Sequence, residues 1–203
     1  MTFEPLSAAD LQLIHDQTLK VLSETGVIVE GDDARAILLE AGCLDTGKRL
    51  QMPSKLVEDC LIDPEPVTLY GVDERVELPL TAAPRTYAHN FGSVSMLLDH
   101  RTDHIREALV DDLVEQIRIS DQLPNLGMVV PSLRPTDLPE EIASLAMTAY
   151  AMQNTIKPVD IEAASDSWEI RYLIKIASAI RGSLEALIAK PLGTLSISPL
   201  SPL

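Results

Sequence analysis

Residues 192–203 read LGTLSISPLSPL, apolar side chains alternating with hydroxyl-bearing ones until Pro199 and Pro202 interrupt the run. Such an alternation predicts a β-strand, and the prolines predict the loop that leaves it. It also says what kind of sheet the strand belongs to. A parallel strand covered on both faces reads as almost continuously apolar, whereas here Leu195 and Ile197 oppose Thr194, Ser196 and Ser198. The run at 159–163 repeats the pattern, with Val159, Ile161 and Ala163 against Asp160 and Glu162. Both runs predict a sheet with one face on helices and the other on water, charge or ligand.

Upstream of each strand lies a helical period. Ile170, Leu173, Ile174, Ala177 and Ile180 mark a helix face that Ser165 or Ser167 caps and Gly182 ends. Ile142, Leu145, Ala146, Ala149 and Met152 mark a second, opened by the capping pair Asp137 and Glu140, and Val110, Leu113, Val114 and Ile117 a third, ended by Pro124. A further strand is predicted at 126–130. Strand and helix in unbroken alternation imply parallel strands joined by right-handed crossovers. An open doubly wound sheet and a closed barrel both satisfy that order. Nucleotide-binding open sheets carry a glycine signature after the first strand, and the 9 glycines here form neither GxGxxG nor GxxxxGKS/T. The expected fold is therefore α/β, the first half of a TIM-type (β/α)8 barrel over 67–203. No strand to flank the far side of 192–203 is in the sequence, so the barrel is expected to be incomplete, or to finish itself as a homo-oligomer.

Residues 1–66 are expected to form a helical N-terminal extension. Ser7 and Asp10 make a capping pair, Leu11, Ile14, Thr18, Val21 and Leu22 a face, and Gly26 a left-handed cap; further helices are predicted at 32–41 and 53–62. Short strands follow at 67–70, 76–80, 86–91 and 93–98. Asp99, His100, Asp103 and His104 spell DHxxDH. On a helix the histidines would share a face; in a turn after a strand the side chains splay, and no metal site is expected.

Composition excludes some functions. With 16 basic against 31 acidic residues the net charge is −15, and no lysine or arginine cluster offers phosphates a counterion, which argues against a nucleic-acid partner. No run reaches the ~18 apolar residues of a membrane span, and the first residues carry acid where a leader would carry base. The expectation is a cytoplasmic protein with no membrane partner. Cys43 and Cys60 lack CxxC spacing and are read as unpaired thiols.

The order of segments resembles the N-terminal part of the trimethylamine methyltransferase superfamily. The likeness is carried by the opening helix running into LSETGVIVE, PSKLVEDCL followed by VTLYG, the strand pair ending MLLD, SDQLPNLGMVVPS with TDLP behind it, NTIKPV and SISPLSPL. The resemblance implies a corrinoid-dependent enzyme that demethylates a tertiary or quaternary amine. The methyl acceptor would be the cobalt of a separate corrinoid protein, so that this chain itself binds no cofactor. Family members are more than twice as long, and the pyrrolysine position of the trimethylamine enzymes falls outside this sequence. The family's glycine-rich run after the first barrel strand is reduced here to His89, Asn90, Phe91 and Gly92.

In such barrels chemistry sits at the C-terminal ends of the strands. His89, Asn90, Arg134, Glu162 and Ser198 are the candidate substrate-binding residues, with Ser132 beside them. Glu162 and Asp160 read either as structural hydrogen-bonding groups or as carboxylates facing a cation, because a buried charge needs a partner. His89 reads as a loop histidine or a site residue. Arg134 reads as a surface charge or as a fork for the carboxylate of a betaine. Aromatic faces suit quaternary ammonium groups, but aromatic content is 3%; Tyr150, Trp168 and Tyr172 fall on predicted helices, and Tyr87 and Phe91 are the aromatics nearest a strand end. The alternative to an enzyme is a non-catalytic half-barrel serving binding or assembly.

Overall fold

Helix α1, Ala8–Lys20, begins where its cap predicts. Asp10 N–H donates to the Ser7 hydroxyl at 3.2 Å and Ser7 N–H to the Asp10 carboxylate at 2.9 Å, satisfying two of the donors that a helix start leaves open. The helix ends differently from expectation. It widens into a π-helical turn, Val21–Thr25, and Gly26 adopts φ 69° with ψ −178°, not the left-handed helical cap. The cause is proximity: a Cβ on Gly26 would stand 2.3 Å from the Leu50 carbonyl oxygen. Gly26 thereby lets Val27 exchange both backbone hydrogen bonds with Leu50.

The computed structural model describes residues 5–62, 65–81, 86–161 and 167–196. Its contacts divide the chain into two units, one built on the residues up to Pro64 and the other Glu65–Ser198. In the first, α1 is followed by α2 (Asp32–Glu40), β1 (Leu44–Asp45), β2 (Leu50–Gln51) and α3 (Ser54–Asp59). Val29, Cys43 and Leu50 are its buried centre. The antiparallel pair β1–β2 is absent from the sequence reading because two-residue strands show no alternation. Helix α3 is shorter than the predicted 53–62.

The second unit is mixed α/β. An antiparallel hairpin of β3 (Val67–Tyr70) and β4 (Glu77–Leu80) leads to β5 (Ala88–His89). A second hairpin follows, β6 (Met96–Asp99) with β7 (His104–Glu107), so the DHxxDH segment is its turn, with Asp103 at φ 60°. Then come α4 (Val110–Gln122), β8 (Leu126–Met128), α5 (Ala143–Asn154), β9 (Val159–Ile161), α6 (Ser167–Arg181), α7 (Leu184–Ala189) and β10 (Gly193–Leu195). Strand β5 pairs in parallel with β8, a parallel bridge joins Val129 to Val159, and β9 pairs in parallel with β10. The parallel order is thus β5–β8–β9–β10, and the three strands predicted at 126–130, 159–163 and 192–198 are parallel neighbours over their described residues. Leu113 and Ile117 of α4, Met147, Ala151 and Met152 of α5 and Ala177 of α6 pack on Val129, Val159 and Leu192. Each large side chain buried there contributes about 1.5–3 kcal/mol.

Two local expectations are corrected. Asp137 does not cap α5, which is entered through a 3-10 turn, Glu140–Ile142, after Pro139. Its carboxylate accepts instead from Val110 N–H at 3.1 Å, at the start of α4. Helix α7, capped by the Ser183 hydroxyl accepting from Ala186 N–H, has no counterpart in the sequence reading.

The β3–β4 hairpin lies at the N-terminal ends of the parallel strands. Tyr70 N–H donates to Pro191 O just before β10, Asp73 N–H to Ile156 O before β9, and Leu78 lies against Gly127 in β8. Buried Arg181 ties α6 to the same place, donating to Gly71 O at 3.0 Å and Lys190 O at 3.1 Å. The opposite strand ends are where a site can form. No helix among the described residues is long and apolar enough to cross a membrane.

Candidate functional site at the strand ends

Pairing register sorts the strand residues by face. Val129 and Val159 belong to the helix-side core, so Met128 and Asp160, one residue removed, point to the other face. Thr194 pairs with Asp160 and His89 with Met128, which places all four on that face. This is the polar face that the alternation at 159–163 and 192–198 predicts.

Asp160 is its centre. The residue is 7% exposed. Its Oδ1 accepts from the Thr194 hydroxyl at 2.5 Å and from the Ser196 hydroxyl at 3.2 Å, and Ser196 also stands 3.4 Å from Oδ2. Thr194 Oγ1 touches Met128 Sδ at 3.7 Å. None of the ion pairs among the described residues includes Asp160.

Beside it, Asn90 extends the β5–β8 pairing with its side chain. Its amide donates to Val130 O and to Ser132 Oγ, both at 2.5 Å, while its Oδ1 accepts from Val130 N–H at 3.0 Å. Gln116 of α4 braces the same loop, accepting from Ser132 N–H at 3.0 Å and donating to Val130 O at 3.2 Å. Asn90 and Ser132 are therefore brought together, held by an amide that the sequence reading missed. The signal was present: Gln116 and Ser120 sit four residues apart within the apolar stripe of Leu113 and Ile117, polar groups where burial demands partners.

The other candidates are dispersed. His89 is exposed, its Nδ1 2.7 Å from the carbonyl oxygen of Asn90. Arg134 forms an ion pair with Glu140 at 2.5 Å, the glutamate largely in water. Glu162 and Ser198 lie outside the described residues. Tyr150 and Tyr172 are on α5 and α6, with Trp168 edge-on to Tyr172 at 5.9 Å, and Phe91 is 86% exposed.

The strongest ionic cluster lies elsewhere. Arg106 of β7 bonds Asp99 at 2.8 Å and Asp112 at 2.7 Å, tying the second hairpin to α4. Its hydrogen bonds hold both carboxyls below their usual values and the guanidinium above its own. A concavity of about 840 Å3 runs along this region between Arg101, Arg106 and Arg118 and Asp111, Asp112 and Glu115, and shares no residue with the strand-end face. Its charges neutralise one another, so we place the site at the strand ends, where the Asp160 carboxylate has no ion pair among the described residues. Burial pushes the Cys43 thiol up; Cys60 is exposed, and both are free. No group of three or more His, Cys, Asp or Glu that could hold a metal occurs among the described residues.

Parallel strands carrying helices on one face and a hydroxyl-carboxylate cluster on the other define an α/β protein with its polar residues gathered at the strands' C-terminal ends. The trimethylamine methyltransferase family model matches residues 1–203, and the chain belongs to that family. It is similar to the trimethylamine methyltransferase MttB of Desulfitobacterium hafniense (strain DSM 10664 / DCB-2), 28% identical over 200 residues, covering 97% of this chain and 40% of that protein. It is also similar to the glycine betaine methyltransferase of Desulfitobacterium hafniense (strain Y51), 24% identical over 215 residues, covering 98% and 41%. The chain spans about two fifths of the length of these relatives.

Proposed function

We propose that this chain forms the first half of a (β/α)8 barrel in a methyltransferase that takes a methyl group from a tertiary or quaternary methylated amine. The observation that carries the reading is the family match over residues 1–203 of a chain whose strands β5, β8, β9 and β10 run in parallel with a polar face opposite the helices. The acceptor would be the cobalt of a separate corrinoid protein, which would supply the nucleophile for the methyl group. With the C–N electron pair kept on nitrogen, a quaternary donor would leave as a neutral tertiary amine, and a tertiary donor, taken as its ammonium, as a neutral secondary amine. The chain's own part is to bind and orient the donor and to exclude water. Asn90 and His89, at the end of β5, are assigned to the donor site, and Glu162 and Ser198 are assigned to it from the sequence alone. Arg134 would have to leave the exposed Glu140 to hold a betaine carboxylate. Co(I) is strongly reducing, which suits a cytoplasmic setting.

A second reading, a non-catalytic half-barrel that binds ligand or a partner, is favoured by the commitment of Asn90 to Val130 and Ser132 and of Arg134 to Glu140. Free cob(I)alamin with trimethylamine or glycine betaine separates the two. Amine-dependent loss of the Co(I) absorbance with methylcobalamin formed supports the enzyme. Binding of the amine without transfer supports the module, and neither binding nor transfer overturns the enzyme and the amine-binding module alike.

A further inference from the structure

We infer that Asp160 is the counter-charge that selects a cationic donor, a specificity-determining residue of the site; this rests on the proposed methylated-amine reading.

Asp160 is 7% exposed, yet its side-chain partners are two neutral hydroxyls, Thr194 at 2.5 Å and Ser196 at 3.2 Å. Hydroxyl donors satisfy lone pairs but leave the charge uncompensated, and a buried carboxylate held that way is costly. Among the described residues of the same unit, several cations are engaged elsewhere: Arg106 with Asp99 and Asp112, Arg181 and Lys190 with Glu74, Arg134 with Glu140. On the same face Met128 offers a soft, uncharged thioether, and His89 is exposed with its Nδ1 against the carbonyl oxygen of Asn90. The two hydroxyls both bond Oδ1, and the nearer contact to Oδ2 is 3.4 Å, so Oδ2 is the less saturated oxygen.

The chemistry of the missing cation follows. A quaternary ammonium has no N–H and cannot form a hydrogen bond with either oxygen; what it offers is a diffuse positive charge over methyl groups. Such a group is held by aromatic faces or by a carboxylate behind a weakly hydrated wall. The aromatics are elsewhere: Trp168 and Tyr172 pack on each other along α6, and Phe91 projects into solvent. A carboxylate whose Oδ1 is anchored and a methionine beside it form the second kind of wall.

The test compares a cation with its uncharged twin on the purified chain. Choline and 3,3-dimethylbutan-1-ol differ by a nitrogen replaced with carbon, and calorimetric titration of each gives a charge preference. Asp160→Asn keeps an oxygen acceptor for Thr194 and Ser196 and removes the charge. The preference for choline should fall about tenfold or more, the scale of one nearby ionic contact in partly screened surroundings, while binding of the alcohol stays within about twofold and thereby reports an intact fold. Thr194→Val removes a donor but leaves the charge, and should keep or raise the preference, which reads the inference even where Asp160→Asn does not fold. A wild-type preference that survives in Asp160→Asn, or that vanishes in Thr194→Val, overturns the role of Asp160 and leaves the methylated-amine reading standing. A wild-type chain that binds neither choline, trimethylamine nor glycine betaine overturns that reading, and this inference with it.

Discussion

At Gly193 the backbone of β10 comes so close to β9 that a Cβ would lie 1.8 Å from the Val159 carbonyl oxygen and 2.8 Å from its carbon. Backbone cannot rotate away as a side chain can, so Gly193→Ala must part the two strands. Its expected cost is about 3 kcal/mol, at the upper end of overpacking, measurable as a shift of the urea midpoint with unchanged slope. Because Thr194 pairs with Asp160 next in register, the same variant should also loosen the hydroxyl cluster. Arg106 makes a second prediction. Asp99 and Asp112 are held below their usual values chiefly by hydrogen bonds from its guanidinium. Both bind a proton less readily folded than unfolded. The stability they lend is thus fully present above the unfolded value near pH ~4 and is lost as pH falls through the lowered folded values. Urea midpoints taken downward from about pH 6 should fall across that window, and Arg106→Gln should flatten the fall. Identical acid limbs in the two proteins would show that the pair is fully screened.

Among the elements, α4 is the one whose support the sequence conceals. Its first N–H, on Val110, is satisfied by Asp137, 27 residues downstream, and that of Leu109 by Asp112. Asp137→Ala should cost about 1 kcal/mol through the lost cap, and amide exchange at the start of α4 should quicken while α5 is unaffected. If α5 were destabilised instead, the capping pair with Glu140 that the sequence suggests would be the better account. This is a fair measure of what could be read in advance. Helices with long apolar stripes, the Ser7 cap and the parallel neighbours around 126–130, 159–163 and 192–198 were legible, because their periods extend over many residues. The two-residue strands β1 and β2, the turn-coupled strand β7, the six-residue α7 and the remote cap were not, because each depends on partners far away in the chain. The site divides in the same way. Asn90 and the polar faces of β9 and β10 could be read from position, but the joining of Asn90, Ser132 and Gln116 is a tertiary fact. Arg134 was legible as a charge and not as the partner of Glu140.

For the molecule as a whole, apolar exposure and net charge pull in opposite directions. Helices α6 and α7 leave Tyr172, Ile174, Leu184 and Ile188 substantially exposed, the last at 73%. Such faces favour association, whereas a charge of −15 opposes it. The repulsion reaches about 30 Å at 0.01 M salt and about 10 Å at 0.1 M. Light scattering over a dilution series should therefore give a mass above that of one chain, rising with salt. A stable 22.2 kDa species that binds no hydrophobic dye at either salt would exclude self-association. The hairpin β3–β4 carries a consequence of another kind, in time. Gly71 meets Arg181 across 110 residues, so during synthesis the hairpin waits for its partner for roughly 5–20 s at ~5–20 residues per second. Throughout that interval Tyr70 lacks the Pro191 carbonyl and Gly71 lacks the Arg181 guanidinium that tie the hairpin down in the finished fold. Nascent chains arrested before Arg181 is made should be cut readily by protease between residues 67 and 80, and chains carried past β10 should resist.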